Sequence, residues 1–510
     1  MVIPSRCDLE NGENMDRRHF LRAGIVSAGA GAMVPTAIFA RPSSAAARAG
    51  ESPYGPLSQT ADENGLLLPA GFTSRVVAVG GDAVGDTDYN WHIFPDGAGT
   101  FDDGAGGWYY TCNSEVFDFM APAAGGASAI HFDADGNILD AYRILEGSNS
   151  NCGGGPTPWG TWLSGEENFS GTGLIWECDP SGTEPGVAHE AMGAWSHEAA
   201  AVDPDNQQVY LTEDNKEGVF YRFTPTAYPD LSSGVLEACI VGGDGSVSWG
   251  AITDPTGVTT PTRSQVAGAT IFPGNEGCWY HQGWVYFTSK GDHSVHGIDI
   301  DAQKYSLLWK GDPDGLGVEG AVLSHVDNIT VDAGSGDLFV AEDGGNMELV
   351  IITPDGAVAP FVRVVGDGHA LSEITGPVFN PARDRLYFSS QRGPSTRDLE
   401  EIMPGIAPIA ALGASGMQGG MTFEISGPFR GVVTTQDETP VTEAPDTTIA
   451  SPVDTLVAVA PQEDDASDDD GGGAGVVIGI GVAAVVAVGG VVAFRKRRTD
   501  SASEENTSAS

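Results

Sequence analysis

The sequence repeats one short pattern six times: a hydrophobic, strand-like run that ends on a polar tip, most often an acidic one. The runs VYLTEDN, VYFTSKGD, LFVAEDGGN and LYFSSQRG are variants of one phrase. The six tips are Asn113-Ser114-Glu115, Glu166-Glu167-Asn168, Glu213-Asp214-Asn215, Ser289-Lys290-Gly291-Asp292, Glu342-Asp343-Gly344-Gly345-Asn346 and Ser389-Ser390-Gln391. A repeat of roughly 40 to 75 residues with several short strands is typical of a β-propeller, whose blades direct equivalent strand ends at one funnel. We therefore expect an all-β fold, a six-bladed β-propeller, over residues 52–430.

Acidic side chains recur at one place in this repeat. In several repeats a second polar residue also precedes the tip by some thirteen to fifteen positions. Side chains at equivalent positions of a propeller converge, and converging carboxylates repel one another unless cations or protons neutralise them. Bound metal is the simplest solution. The carboxylates expected in the funnel on this argument are Glu198, Glu213, Asp214, Glu276, Glu342 and Asp343.

The composition agrees with a protein of strands and turns, and the net charge argues against nucleic acid as a partner. The chain of 510 residues contains 71 glycines and 31 prolines, and only 18% of its residues are charged. Its formal net charge is −46, from 24 basic and 70 acidic residues. Such a chain repels a phosphate backbone, so we expect no nucleic-acid partner. An acidic surface is also typical of soluble proteins in saline or extracellular settings.

The N-terminal region predicts export. The segment MDRRHFLRAG places Arg17-Arg18 shortly before Phe20-Leu21, and a weakly apolar stretch rich in Ala and Gly follows to Ala40. This is the pattern of a twin-arginine signal, which we assign to residues 1–47. Translation starts at Met1 or Met15, and cleavage is expected near Ala40 or within residues 45–47. Because the twin-arginine route carries folded protein, it suits a domain that binds a metal before it crosses.

The C-terminal region predicts a membrane anchor. Residues 431–475 hold eleven acidic residues and no Lys or Arg, a composition typical of a flexible stalk. Residues 476–494 form 19 positions without a charge, which as a helix reach about 28 Å and span a hydrocarbon core. The basic run 495–498 opens a tail, 495–510, that is expected to stay cytoplasmic. The main domain is then extracytoplasmic, at the cell surface, held by a single transmembrane helix.

Cysteine usage leaves two possibilities open. If Cys7 is lost with the signal, Cys112, Cys178, Cys239 and Cys278 can form two disulfides in an oxidising compartment, and Cys152 stays unpaired. Cys152 stands in SNSNCGGGPTPWGTWLSGEEN, where three glycines allow a close backbone approach and an acidic tip follows. A free cysteine is more often a buried apolar residue than a ligand, but this context favours a metal role.

Six segments together resemble the PhoX family of secreted alkaline phosphatases. They are NCGGGPTPWGTWLSGEEN, WSHEAAAVDP, VYLTEDNKEGVFYRFTP, NEGCWYHQGWVYFTSKGD, DNITVDAGSGDLFVAEDGGN and ITGPVFNPARDRLYFSSQRG. With the twin-arginine signal, the similarity extends over roughly residues 52–429. The resemblance implies a six-bladed propeller whose funnel holds iron and calcium and which hydrolyses phosphate monoesters.

Carried over by residue, the resemblance implies specific ligands. The Cys of the Cys-Gly-Gly segment corresponds to Cys152, an expected iron ligand, and the Glu residues of the SHEA and NEG segments correspond to Glu198 and Glu276. The acidic tips add hard oxygen ligands suited to calcium and ferric iron. These further ligands are Glu166, Glu167, Glu213, Asp214, Glu342 and Asp343.

The sequence departs from the family at one position relevant to the substrate. Members tend to carry an arginine two residues before the glutamate that corresponds to Glu276, and here that position is Gly274. Three basic residues on or beside tips are candidates to bind the substrate phosphate instead: Lys216, Lys290 and Arg392. The sequence singles out no catalytic residue.

Three functions are compatible with these features. The first is a surface-anchored, monomeric, metal-dependent phosphomonoesterase with iron and calcium in the funnel. The second is a calcium-stabilised propeller without catalysis, which binds a glycan or a protein. The third is a metal-dependent lactonase or another ester hydrolase, because propeller funnels with Glu, Asn and Asp around calcium support that chemistry. Metal content and a phosphomonoester assay separate the three.

Overall fold

Six sheets, antiparallel except for one short parallel pairing, make up the computed structural model, which describes residues 47–312, 322–406 and 417–431. Three strands precede the first blade: β1 (Arg48–Ala49), β2 (Leu66–Leu67) and β3 (Thr73–Val79). Blade I then contains β4 (Pro95–Asp102), β5 (Trp108–Ser114), β6 (Gly126–Phe132) and β7 (Ile138–Leu145). Blade II contains β8 (Asn151–Pro156), β9 (Trp162–Glu166), β10 (Ile175–Cys178) and β11 (Val187–Ala188).

The next two blades follow the same order from the inside outward. Blade III contains β12 (His197–Asp203), β13 (Gln208–Glu213), β14 (Tyr221–Ala227), β15 (Asp230–Val241) and β16 (Val247–Ala251). Blade IV contains β17 (Asn275–His281), β18 (Trp284–Ser289), β19 (Ser294–Asp299) and β20 (Lys304–Lys310).

The last two blades take in the N-terminal strands. Blade V contains β21 (Val326–Val331), β22 (Leu338–Glu342), β23 (Glu348–Ile352) and β24 (Ala357–Val364), with β1 and β2 on its outer strand. Blade VI contains β25 (Ile374–Phe379), β26 (Arg385–Ser390) and β27 (Met421–Ser426), and β3 supplies its outermost strand. The connections of the described residues also include the short helix α1 (Leu399–Ile402) and four 3₁₀ turns, Glu190–Met192, Thr262–Ser264, Lys290–Asp292 and Asp367–His369.

The first strand of each blade lies innermost, and neighbouring first strands pack against one another in the closed order β4, β8, β12, β17, β21, β25. The six-bladed propeller expected from the sequence is confirmed. Because β3 from the start of the domain pairs with β27 near its end, the ring is closed by backbone hydrogen bonds between the two ends of the domain. This closure satisfies a sheet edge that would otherwise be exposed.

The core lies between the blades. Strands near the funnel have a neighbouring blade on each face, so β12, β22 and β23 are buried at every position and read as apolar runs rather than alternating ones. Blades V and VI share one cluster, in which Phe339, Phe361 and Phe379 meet edge to face. Truncating a buried Phe of this kind to Ala typically costs about 3–5 kcal/mol.

The described cysteines form no disulfide: Cys112, Cys152, Cys178, Cys239 and Cys278 are all buried free thiols. The disulfide possibility is therefore wrong for this structure, because four of these thiols pack as apolar groups in the cores between blades. The signal region, the stalk, the predicted transmembrane helix and the tail lie outside the described residues. Within the described ranges, no helix is long and apolar enough to cross a membrane.

Candidate metal centre

One irregularity is repeated at the same end of every blade. In each blade the first residue of the innermost strand pairs with the last residue of the second strand, as in His197 with Glu213 and Val326 with Glu342. A β-bulge then follows in all six blades. Bulges of this kind re-aim side chains at a strand end and are common beside active sites. The prediction that Glu213 and Glu342 occupy equivalent strand ends is confirmed.

This register generates two sets of equivalent positions at one end of the funnel. The inner ring is the second residue of each innermost strand, in blade order: Asp96, Cys152, Glu198, Glu276, Asp327 and Thr375. The tip ring is the residue that directly follows each second strand, in the same order: Glu115, Glu167, Asp214, Lys290, Asp343 and Gln391. Most of the polar chemistry of the funnel comes from these two rings.

Three groups of side chains in or beside the rings could hold a metal, and within each group the ligand atoms all lie within 4.8 Å of one another. The first two share one thiol: Asp96, Glu115 and Cys152 form one group, and Cys152, Glu167 and Glu198 form the other. The third group consists of Asp327, Asp343 and Glu373, the last of which directly precedes β25. Cys152 is therefore placed between two sets of carboxylates from blades I, II and III.

Burial sets the protonation of these groups when no cation is bound. It raises the pKa of Glu167, Glu198 and Asp96 well above the ordinary range, and neighbouring carboxylates raise it further. The pKa of the Cys152 thiol is also raised well above its usual value, first by burial and then by Asp96 and the nearby glutamates. A cation reverses both effects because it favours the carboxylate and the thiolate.

Two carboxylates of the Cys152 groups have an unsatisfied oxygen. Oδ1 of Asp96 and Oε2 of Glu198 are buried and have no hydrogen-bond partner among the described residues. An orphaned buried carboxylate oxygen is costly, and it is satisfied when it binds a metal. A thiolate beside several hard carboxylates suits a metal such as iron that accepts both, whereas oxygen ligands alone suit calcium. The residues present therefore fit the metals that the sequence implies.

The backbone at Cys152 is fixed by contacts from the neighbouring blades. Nδ2 of Asn113 donates to the carbonyls of Cys152 and Gly153, at 2.7 and 2.8 Å. Oδ1 of Asn113 accepts from Trp162 and Ser164 in blade II. A Cβ at Gly153 would lie 2.8 Å from the backbone of Glu198, so a larger residue would push the two inner strands apart. The glycines after Cys152 thus allow a close approach between blades II and III.

The opposite side of the funnel carries two cationic side chains. Nζ of Lys290 lies 2.9 Å from Oε1 of Glu276, and Nη2 of Arg392 lies 2.9 Å from Oε1 of Glu373. Burial alone would lower the pKa of Lys290, but the carboxylates around it, Glu276 first, raise it well above its usual range. Burial likewise opposes ionisation of Asp343, yet Lys290, a hydrogen bond with Glu373 and the charge of Arg392 together outweigh it and lower that pKa to about 2. Both cations therefore stay charged.

The structure brings together six of the sequence-predicted ligands and engages three others elsewhere. The residues that share the rings are Cys152, Glu167, Glu198, Asp214, Glu276 and Asp343. Glu166, Glu213 and Glu342 end their strands one position earlier, and successive side chains of a strand point to opposite faces. Glu213 binds Arg263 and Tyr221, Glu342 accepts from the amides of Ser324 and Glu348, and Glu166 accepts from those of Asn149 and Leu174. These three lie outside the ligand groups, as do the ring residues Asp214 and Glu276, so a ligand role for all five stays a prediction.

The three predicted substrate-binding residues differ in their surroundings. Lys290 and Arg392 face the funnel carboxylates as ion-pair partners. Lys216 is exposed and makes no ion pair or side-chain hydrogen bond within the described part of the chain. Whether any of the three binds substrate stays a prediction.

Four carboxylates of the ligand groups were not predicted: Asp96, Glu115, Asp327 and Glu373. Glu115 stands in a quoted tip and Asp327 has the upstream spacing, so the repeat contains a signal for both. Asp96 stands nineteen positions before its tip residue because β4 and β5 are longer than the first and second strands of the other blades. Glu373 lies outside any strand, where the repeat has no acidic equivalent.

Gly274 lies beside the rings, as expected for a position that can contact a ligand. It adopts φ +59°, and a Cβ there would lie 3.3 Å from Oδ1 of Asp214. Its equivalents Phe94, Ser150 and His325 also have positive φ, between 48° and 52°. The fold therefore accepts side chains in this left-handed conformation at three equivalent positions.

Comparison with solved structures gives only distant similarities. A structural genomics protein of unknown function from Bacteroides thetaiotaomicron is 12% identical, with 70% of this chain and 76% of that chain covered and a TM-score of 0.42. A gluconolactonase from Xanthomonas campestris is 12% identical (71% and 89% covered, TM-score 0.35). A calcium-binding protein, regucalcin, from Agrobacterium tumefaciens is 13% identical (66% and 92% covered, TM-score 0.30). At identities and TM-scores this low, these similarities carry no argument about function.

Comparison with protein families is more specific. A comparison with curated proteins gives no significant match. The family model described as alkaline phosphatase PhoX matches residues 110–314, which contain all strands of blades II, III and IV and the ring residues from Glu115 to Lys290. The resemblance seen in the sequence is thereby confirmed: residues 110–314 match the PhoX family model.

Proposed function

We propose that this protein is a metal-dependent phosphomonoesterase whose iron and calcium ions bind at the rings of the propeller funnel. The observation that carries the proposal is the position of Cys152, whose thiol belongs to two groups of buried carboxylates in a chain that matches the PhoX family. Structural acidic tips alone would not need a thiol at this place. A thiolate within a carboxylate site is the ligand set of a metal that accepts both soft and hard donors.

In this proposal one set of residues holds the cations and another orients the substrate. Asp96, Glu115, Cys152, Glu167 and Glu198 would hold the metals on one side of the funnel. When bound, the cations supply positive charge for the phosphoryl oxygens and for a nucleophile, the general contribution of metals to phosphoryl transfer.

The chain's own cations lie where they can contact a phosphate at the same place. Arg392 is anchored by Glu373 at 2.9 Å and lies 3.5 Å from Glu115, one of the carboxylates in the first Cys152 group. Its planar guanidinium suits bidentate contact with phosphate oxygens. Arg392 would then orient the ester, while the buried walls of blades I to III limit the access of water to the thiol.

The test is hydrolysis of p-nitrophenyl phosphate by the purified full chain in alkaline buffer with calcium. We expect hydrolysis that is lost with a chelator and regained with calcium, together with iron in the purified protein. Calcium without iron and without hydrolysis would favour the glycan- or protein-binding propeller. Calcium with hydrolysis of a lactone and not of a phosphoester would favour the lactonase.

We also propose that the domain works outside the cytoplasm, held at the cell surface by residues 476–494. The twin-arginine pattern at Arg17-Arg18 and the uncharged segment before the basic run 495–498 support this. Fractionation of cells after Arg17→Lys and Arg18→Lys tests it. We expect the double variant to remain in the cytoplasm, and continued export would contradict the proposal.

A further inference from the structure

Blade IV breaks the pattern of the tip ring. Four blades place a carboxylate there and blade VI places Gln391, but blade IV places Lys290. We propose that the ammonium group of Lys290 occupies a cation position of the funnel, so that the group formed by Asp327, Asp343 and Glu373 is paired with the protein's own cations and holds no metal. This inference rests on the proposed metal centre, and it limits the metals to the side of the funnel that carries Cys152.

The contacts of Lys290 support a cation role. Its Nζ lies 2.9 Å from Glu276 Oε1, 3.5 Å from Asp343 Oδ2 and 3.9 Å from Asp327 Oδ2. One ammonium group thus faces a carboxylate from its own blade and two from blade V. An ammonium has three donors and no acceptor, so it can face several carboxylates at once. Lys290 Nζ therefore lies at the position among these carboxylates that a bound cation would otherwise occupy.

Arg392 is the ion-pair partner of the remaining carboxylate in the third group. It lies 2.9 Å from Oε1 of Glu373, the one member that Lys290 does not reach. Every carboxylate of the third group therefore has a protein cation within 3.9 Å. A divalent ion placed among these oxygens would be close to two positive side chains, and their repulsion disfavours it.

The two groups that share Cys152 differ from the third. Among the described residues, Asp96, Glu167 and Glu198 form no ion pair with Lys or Arg, and Glu115 contacts Arg392 only at 3.5 Å. Asp96 and Glu198 also carry the orphaned oxygens. The funnel is therefore divided into a side where three of the four carboxylates have no ion pair with Lys or Arg and a side where every carboxylate has one.

The first test counts metal in the full-length protein after equilibrium dialysis against calcium, with elemental analysis as the readout. Lys290→Met keeps an unbranched side chain, one atom shorter, and removes its charge. We expect it to bind one additional calcium per chain and to gain a larger calcium-dependent rise in Tm than the wild type. Lys290→Arg keeps a charge and should bind as the wild type does. Lys216→Met is the matched control, because that lysine is exposed and forms no ion pair among the described residues.

A second test does not depend on the folding of Lys290→Met. Asp343→Asn in the wild-type background removes one oxygen ligand of the third group, and Glu198→Gln removes one from a Cys152 group. We expect the metal content to be unchanged in the first and reduced in the second. A stoichiometric loss of metal in Asp343→Asn, or a folded Lys290→Met with unchanged calcium content, would overturn the inference. Wild-type protein that binds no metal at all would instead overturn the proposed function.

Discussion

Asn113 in blade I donates from Nδ2 to the backbone carbonyl of Cys152 in blade II, across 2.7 Å. Asn113 stands two positions before the tip-ring residue of its blade, and Thr212 and Thr288 stand at the same place in blades III and IV. Their hydroxyls donate to the carbonyls of Glu276 and Asp327 in the following blades. One blade's tip strand therefore positions the inner-ring residue of the next.

Asn113→Ala should consequently affect both stability and metal binding. The change leaves two carbonyls, an indole N–H and a serine hydroxyl without their buried partner, at a cost of about 1–3 kcal/mol for each group that finds no replacement. We expect a loss of about 3 kcal/mol in the free energy of unfolding, measured with urea, and weaker metal retention. Asn137→Ala, at an exposed turn of the same blade, should change stability by less than about 0.5 kcal/mol. Equal effects of the two variants would contradict this role.

Replacing Cys152 should remove metal without unfolding the protein. Because the thiol belongs to two ligand groups, Cys152→Ser should lose iron and the visible absorption expected of an iron–thiolate bond. The matched control is Cys178→Ala, which changes a buried free thiol in the core between blades I and II. We expect the control to keep its iron and to lose about 1 kcal/mol of stability. A Cys152→Ser protein that retains iron would exclude the thiol as a ligand.

Metal-free protein should become less stable as the pH rises. Burial raises the pKa of Asp327 from its ordinary value to about 7, and it raises those of Glu167 and Glu198. The folded state then binds more protons than the unfolded state above about pH 4, so stability falls as pH increases from there to about 7. We expect chelated protein to have a lower Tm at pH 8 than at pH 5, and metal-loaded protein to lose the part of that difference that comes from Glu167 and Glu198. A chelated protein that is more stable at pH 8 would contradict the protonation described here.

Gly274→Arg tests whether the missing arginine limits activity. A side chain in the left-handed conformation at this position costs about 1–2 kcal/mol. Non-glycine residues already adopt this conformation at the equivalent position of three other blades. If the new guanidinium reaches the substrate phosphate beside Asp214, kcat/KM for a phosphomonoester should rise at least about tenfold, equivalent to about 1.4 kcal/mol. Gly274→Ala carries the same strain without the charge and should show no rise. Equal activities of the two variants would show that the cations and Arg392 suffice.

The fold could be predicted because the same burial pattern recurs in all six blades. Each second strand has blades on both faces, and this produces the apolar runs before the six tips. One register then places all the tips at the same end. The site was harder to predict because neighbouring tip residues point in opposite directions. Both carboxylates of Glu166-Glu167 and Glu213-Asp214 looked equivalent in the sequence, but only the second of each joins a ring.

Charge balance across the funnel was not readable from the sequence. Lys290 stands in a tip and was predicted to bind phosphate, but its ion pairs with Glu276, Asp327 and Asp343 join residues from two blades. Glu373 gives no sequence signal because it precedes its strand instead of following one. These relationships depend on how the blades are arranged in space, which the period of a repeat does not specify.

Anomalous scattering at the iron edge, from crystals of the purified protein, tests the central claim most directly. The account predicts an iron peak within bonding distance of Cys152 Sγ, with oxygens of Glu167 and Glu198 or of Asp96 and Glu115 in the same coordination shell. Metal-loaded crystals with no iron peak at Cys152, or with iron only beside Asp327, Asp343 and Glu373, would contradict it.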